Sequence, residues 1–345
     1  MSRLVRTGLV LVGLMLAAAA VLMGGRQGSA QPARQSFDIL TGSAGGSYFP
    51  VGELIARVIS HPPGLARCER SGVCAPPGII VSARSSDGAI ANVLTVNQGS
   101  ATSGLAQAPV VAEAVAGRGV FRKQGRQTHI RVMAELFSEC LLLVARPGID
   151  SLADLRGKRV SLGSEGSGGD VIAAEALSAV GVRTAQIRRD GVELSAGRLR
   201  QGQIDAFFYL SSEPLPVVAD LLARGAAHVV SLDDKTQARV LSRIPGLSSC
   251  YITPGLYRGT GPINAVAART FWITNESAPA GTVYGLVRAL YNPANRDLLA
   301  QGPRPAEEIQ LHPIMGLGVV TLHPGAARFY RETGQLPPPA RTQRH

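Results

Sequence analysis

Phe37-Asp-Ile-Leu-Thr-Gly-Ser-Ala-Gly-Gly-Ser-Tyr-Phe-Pro-Val-Gly-Glu-Leu-Ile-Ala-Arg-Val-Ile59 is the stretch that decides the fold. Its first four residues read as a strand, and Thr41 to Ser47 form a glycine- and serine-rich turn. From Val51 onward apolar residues stand at 51, 54, 55, 58 and 59, the spacing of one helix face. The same order returns downstream. Arg159-Val-Ser-Leu162 reads as a strand and Gly163-Ser-Glu-Gly-Ser-Gly-Gly169 as a turn. Asp170 to Val180 follows as an amphipathic helix closed by Gly181. A strand, a Gly/Ser turn and a helix, once in each half of the chain, point to an α/β architecture.

Working outward, strands are expected at 79–81, 102–107, 204–210 and 228–232, and helices at 89–96, 109–116 and 216–223. Ser151, with Asp154 three residues on, is a capping start for a short helix. Asp170 is expected to cap its own helix. Ile130–Leu136 and Cys140–Val144 are consecutive strand candidates with no room for a helix between them, so this is where a chain passes from one lobe to another. Glu135 and Glu139 within that stretch read as exposed or hinge charges. The expected division is 1–30 as a signal peptide or uncleaved anchor, 31–138 as the first part of lobe I and 139–245 as lobe II. Residues 246–336 return to lobe I, and 337–345 form a flexible tail.

Composition supports two domains: 345 residues, 45% hydrophobic, are enough for real cores and exclude extensive disorder. Aromatics are only 5%, which disfavours a stacking platform for single-stranded nucleic acid. The net charge is +11. Without Arg3, Arg6 and Arg26 the count is 32 basic against 24 acidic residues, a net of +8. The remaining arginines are scattered, apart from the run Arg118 to Arg131, which reads as a solvated loop. Residues 1–30 have a short basic start, an uncharged run from Thr7 to Gly25 and Gly28-Ser29-Ala30 before Gln31, the pattern of an export signal. Export permits disulfides. Cys68 and Cys74 flank a short Pro/Gly-rich loop and are expected to pair. Cys140 in an apolar strand reads as a small buried hydrophobe, and its pairing and that of Cys250 are left open. There is no Cys-x-x-Cys and the six histidines are isolated, so neither a metal nor a cofactor is expected.

A Gly/Ser turn opening a helix offers backbone N–H groups and partial positive charge to an anion. Ser43 and Ser47 add hydroxyls in the first turn, with Tyr48 beside them, and Ser164 and Ser167 add hydroxyls in the second. Neither turn matches a dinucleotide fingerprint or a P-loop. Two such turns facing each other suit one small anion held in a cleft. No nucleophile elbow or Ser-x-x-Lys accompanies them.

Taken together, Thr41-Gly-Ser-Ala-Gly-Gly-Ser-Tyr-Phe-Pro-Val-Gly52, Asp154-Leu-Arg-Gly-Lys-Arg-Val-Ser-Leu-Gly163, Gly202-Gln-Ile-Asp-Ala-Phe-Phe-Tyr209 and Leu322-His-Pro-Gly-Ala-Ala-Arg-Phe-Tyr-Arg-Glu-Thr-Gly334 resemble the TAXI family. These are the solute-binding subunits of tripartite ATP-independent periplasmic (TRAP) transporters. The resemblance implies a type II-like bilobal periplasmic-binding-protein fold. It implies capture of a small organic anion, glutamate-like or a dicarboxylate, and delivery to integral-membrane TRAP permease subunits, with no catalytic step, no nucleic acid and a monomeric state. Ser43, Ser47, Tyr48, Ser86 and Gln107 would face the solute from the first lobe, and Ser167, Gly168 and Tyr209 from the second. The sequence departs from the family's pattern at Ser85–Asn92, at Gln107-Ala-Pro109 and at Phe137-Ser-Glu-Cys140, which bears on the solute rather than the fold. The alternatives are a periplasmic enzyme acting on a small anionic substrate and a sensory binding protein.

Overall fold

Alternating strands and helices account for most of the chain. In a computed structural model the described residues are 34–337, except 45, 213, 315–317 and 319. The signal or anchor expected over 1–30 and the tail from 338 lie outside them. In order, the first half contains β1 (Gln35–Leu40), α1 (Tyr48–Ile59), β2 (Ile79–Arg84), α2 (Ala89–Asn97), β3 (Ser103–Gln107), α3 (Ala108–Ala116) and β4 (Ile130–Ala145). Then come β5 (Arg159–Ser161), α4 (Gly168–Val180), β6 (Gln186–Arg188), α5 (Val192–Arg200), β7 (Ala206–Ser211), α6 (Pro216–Ala223), β8 (His228–Val230) and α7 (Asp234–Arg243). The chain ends in β9 (Leu247–Ile252), β10 (Ile263–Asn275), α8 (Ala280–Leu290), α9 (Arg296–Ala300) and α10 (Pro324–Glu332).

The strands run β2-β1-β3-β10-β4-β7-β5-β6, with β9 on β10 and β8 on β4. Strands β1, β2 and β3 pair in parallel, as do β5, β6 and β7, because a helix crossover separates each from the next. Strands β4 and β10 are antiparallel and long, at 16 and 13 residues. The start of β4 and the end of β10 complete the β1–β3 half, while the end of β4 and the start of β10 complete the other. The two strand candidates at 130–136 and 140–144 are thus one unbroken strand. Two extended strands side by side join the halves, and the α/β, two-lobed class expected from the sequence is the one observed.

Local rules explain the elements. Every apolar position of the α1 face, Val51, Leu54, Ile55, Val58 and Ile59, is buried against β1 and β2. The short 3-10 turn Leu152–Leu155 carries the full Ser151/Asp154 capping box. Helix α4 ends on Gly181, whose φ of 70° is the left-handed cap glycine adopts at no steric cost. Its N-cap is Ser167, which accepts the Asp170 N–H at 3.2 Å. Asp170 itself is not the cap: its carboxylate takes Arg189 Nε at 2.9 Å.

Cys68 and Cys74 are bonded, as expected from their short loop. Cys140 is not a free apolar filler, because it is bonded to Cys250 across a sequence separation of 110. Their strands flank β10, where Ala267 lies beside Cys140 and Ala265 beside Cys250; two small side chains leave room for the bridge.

Candidate functional site

Six helices begin at one cavity. Its lining includes Ser47, Gly88, Gln107, Ser167, Gly191 and Leu215, which are the N-caps of α1, α2, α3, α4, α5 and α6. The cause is topological. Each parallel strand delivers its chain to the same edge of the sheet, and the helix that follows starts there with its unpaired N–H groups and the positive end of its dipole. The cavity holds about 660 Å³, within the range of small-molecule sites.

The halves touch around it. Ile90 N–H, at the start of α2, donates to Gly166 O at 3.3 Å. Gly88, at φ 108°, lies against the Ser167 backbone. Gln107 Oε1 approaches Gly168 so closely that a Cβ there would stand 1.9 Å from it. Only glycine permits that approach.

At the back of the cavity is Glu139, on β4. Both it and Glu135 are buried, at 1% and 2% exposure, which overturns their reading as exposed charges. The Glu139 carboxylate accepts Ser47 Oγ at 2.6 Å, Gln107 Nε2 at 2.7 Å and Thr270 Oγ1 at 3.0 Å. Burial holds its pKa above the ordinary carboxylate value, and those three donors pull against that shift. The Tyr48 hydroxyl lies next to it without completing a hydrogen bond of ordinary geometry. Burial, then the Glu139 charge, pushes that phenol well above its usual pKa. Glu135 belongs to a different group, pairing with Arg269 on β10.

All nine positions singled out in the sequence, Ser43, Ser47, Tyr48, Ser86, Gln107, Ser164, Ser167, Gly168 and Tyr209, line this cavity. Several are already engaged with protein. Ser86 Oγ lies 2.6 Å from Asn92 Oδ1 and accepts Gly88 N–H, while Asn92 Nδ2 donates to Thr41 O and Leu105 O, holding the ends of β1 and β3 together. The Tyr209 hydroxyl meets that of Tyr257, which accepts the Leu215 N–H at the α6 N-cap. Glu139, Thr270 and Tyr257 were missed. One signal was available for Glu139: it is the lone carboxylate in the apolar run Leu136–Ala145, and a carboxylate buried in such a run needs donors around it.

The lining contains Asp87, Glu139, Glu165 and Glu193, and among the described residues it contains no lysine, arginine or histidine. Positive potential in the cleft therefore comes from helix N-termini. No group of three or more His, Cys, Asp or Glu residues placed to hold a metal occurs among the described residues. No helix among them is long and apolar enough to cross a membrane.

Fold and cavity together define a two-lobed α/β protein with a walled cleft between the lobes. The chain belongs to the NMT1-like family, whose family model matches residues 39–334. Among solved structures it is similar to one described as a periplasmic transporter, at 14% identity over 89% of this chain and 95% of that one, TM-score 0.47. It is also similar to a Xanthomonas citri protein bound to chloride ion, at 12% identity over 87% and 99%, TM-score 0.49. A third is the ligand-binding core of GluR0 in complex with L-glutamate, at 13% identity over 79% and 96%, TM-score 0.43.

Proposed function

We propose that this chain is an extracytoplasmic solute-binding protein. It captures a small organic anion, glutamate-like or a dicarboxylate, and delivers it to the membrane subunits of a TRAP-type transporter. The observation that carries this reading is the convergence of six helix N-termini on one 660 Å³ cavity. Each terminus stabilises a nearby negative charge by about 0.3–1 kcal/mol at exposed sites, and by up to about 2 kcal/mol when partly buried. Backbone N–H groups and the hydroxyls of Ser43, Ser47, Ser164 and Ser167 replace the water that a carboxylate gives up.

The lobes in this reading are 31–138 with 246–336, and 139–245. Rotation about β4 and β10 at the segment 139–146 opens and closes the cleft, and the closed form presents the surface that the permease binds as a monomeric partner. Two disulfides among the described residues suit an oxidising compartment such as the periplasm, reached through the N-terminal signal.

The test is a thermal-shift series on the purified protein with glutamate, glutamine, 2-oxoglutarate and C4-dicarboxylates. A bound solute at 100 times its Kd stabilises the folded state by about 2.7 kcal/mol. A concentration-dependent rise in Tm without turnover of the solute is the expected result. Turnover would favour an enzyme, and no shift with any small anion would overturn the proposal.

A further inference from the structure

Helices α3 and α4 belong to different halves of the sheet, α3 following β3 and α4 following β5, yet they meet along one seam. Both start at the cleft, where Gln107 packs on Gly168. One turn along, Val171 of α4 is buried in the apolar cluster of the other half, with Val110, Val111 and Ala114 of α3. Glu175 lies four residues beyond Val171 and so on the same helix face. Its carboxyl meets that of Glu113 on α3 within hydrogen-bonding reach. The groups that face Glu113 are thus Glu175 from α4, and Arg118 and the Val120 backbone N–H from the turn that follows α3. Arg118 is exposed, so water screens its charge. The turn closes over the carboxylate: a Cβ on Gly119 would stand 2.1 Å from Glu113 Oε2. That oxygen is buried and receives no donor.

Two carboxylates in contact repel when both are ionised, and the more so where one is shielded from water. A single proton between them turns that repulsion into a charge-assisted O–H···O⁻ bond. We propose that Glu113 and Glu175 form a proton-operated latch between the two halves: sharing one proton they hold α3 against α4 and close the cleft, and on releasing it to water they push the helices apart and open it. Neither residue lines the cavity, so the latch acts on closure and not on the solute itself. It rests on the rotation about β4 and β10 proposed above and adds a control to it. Because the closed form binds the proton more tightly than an open form with Glu113 in water, low pH favours closure and rising pH favours opening.

The experiment is small-angle X-ray scattering of the purified, solute-free protein at pH 5.5 and pH 8.5. With a Glu113 pKa of about 7 in the closed form and the ordinary 4.5 in the open one, the ratio of closed to open protein should fall about 30-fold between these pH values, and the radius of gyration should rise. In Glu113→Gln the amide can donate to Glu175 at either pH, so this variant should keep the smaller radius at pH 8.5. Glu175→Gln makes the mirror-image change and gives the answer if Glu113→Gln does not fold. Histidines and Glu139 titrate unchanged in both variants, so the difference from wild type reads the latch alone. A wild-type radius that does not change with pH, a response that survives in either folded variant, or variants that stay expanded at both pH values overturn the latch. Each of these leaves the solute-binding function standing, because the thermal-shift series tests that function separately.

Discussion

Ser47 and Glu139 are 92 residues apart, yet the serine hydroxyl donates to the carboxylate at 2.6 Å. One end of this bond is the N-cap of α1 and the other is the middle of β4, so a helix start is tied to a strand that runs through both halves of the sheet. Gln107 ties the start of α3 to the other carboxylate oxygen. Glu139 thus sets where two of the six helix N-termini sit.

Removing that carboxylate leaves the buried Gln107 and Thr270 donors, and the half-buried Ser47 hydroxyl, without their acceptor. Glu139→Ala should lower unfolding stability by about 1–3 kcal/mol, the cost of unsatisfied buried groups, with Glu139→Gln nearer the lower end. Urea unfolding of the two variants and the wild type checks the order.

Gly168→Ala tests the approach of the lobes. A Cβ at 168 would collide with Gln107 Oε1, and Gln107 has little freedom to retreat because Glu139 holds its other end. Relieving that overlap means displacing Gln107 or parting the lobes, an overpacking cost of about 1–3 kcal/mol that outweighs the helix preference of alanine over glycine. Tm should fall and solute affinity should drop about tenfold or more, which a melting curve paired with a binding titration would show.

The two disulfides should differ in worth. In the chain-entropy account a loop closed at a separation of 110 contributes roughly 4–5 kcal/mol, and one closed at a separation of 6 roughly 2 kcal/mol. Replacing Cys140 and Cys250 together by serine should lower the unfolding midpoint more than the same change at Cys68 and Cys74. Equal losses would contradict this ranking.

Glu113, on α3, supplies a pH dependence. Burial first, and then the neighbouring Glu175 of α4, push its pKa up to about 7, against a smaller opposing pull from Arg118 and the Val120 backbone. A carboxyl raised in the folded state binds more protons there than in the unfolded chain between about pH 4.5 and 7. Its ionisation therefore costs stability as pH rises through that window. Glu113→Gln should remove this contribution, so the variant's stability relative to wild type should be greater at pH 8 than at pH 5. Denaturant midpoints at both pH values measure it.

Much of this architecture could be read before any coordinates. The helix that became α1 was legible from five apolar positions, and the two Gly/Ser turns were legible because glycine and serine announce a helix start locally. The nine candidate positions line one cavity for the same reason: they sit at strand ends and helix starts, and parallel pairing sends those ends to one edge. Glu139 was misread because a charge in a strand has no local signature of its partners. Whether it is solvated or buried depends on Ser47, Gln107 and Thr270, which reach it from elsewhere in the chain.

The sequence by itself determined the alternation of elements, the Ser151/Asp154 capping box, the Gly181 helix end and the side chains offered at each turn. These follow from contacts within a few residues, where backbone preference and hydrophobic period act directly. Tertiary structure alone decided that Cys140 bonds Cys250, that Thr270 joins Ser47 and Gln107 on one carboxylate, and that Gly168 meets Gln107. Each of these brings together segments far apart in the chain, from 61 residues for Gln107 and Gly168 to 131 for Glu139 and Thr270. Burial then made the difference: at 1% exposure the Glu139 carboxylate must be met by protein donors instead of water, and the orientation of every group around it follows.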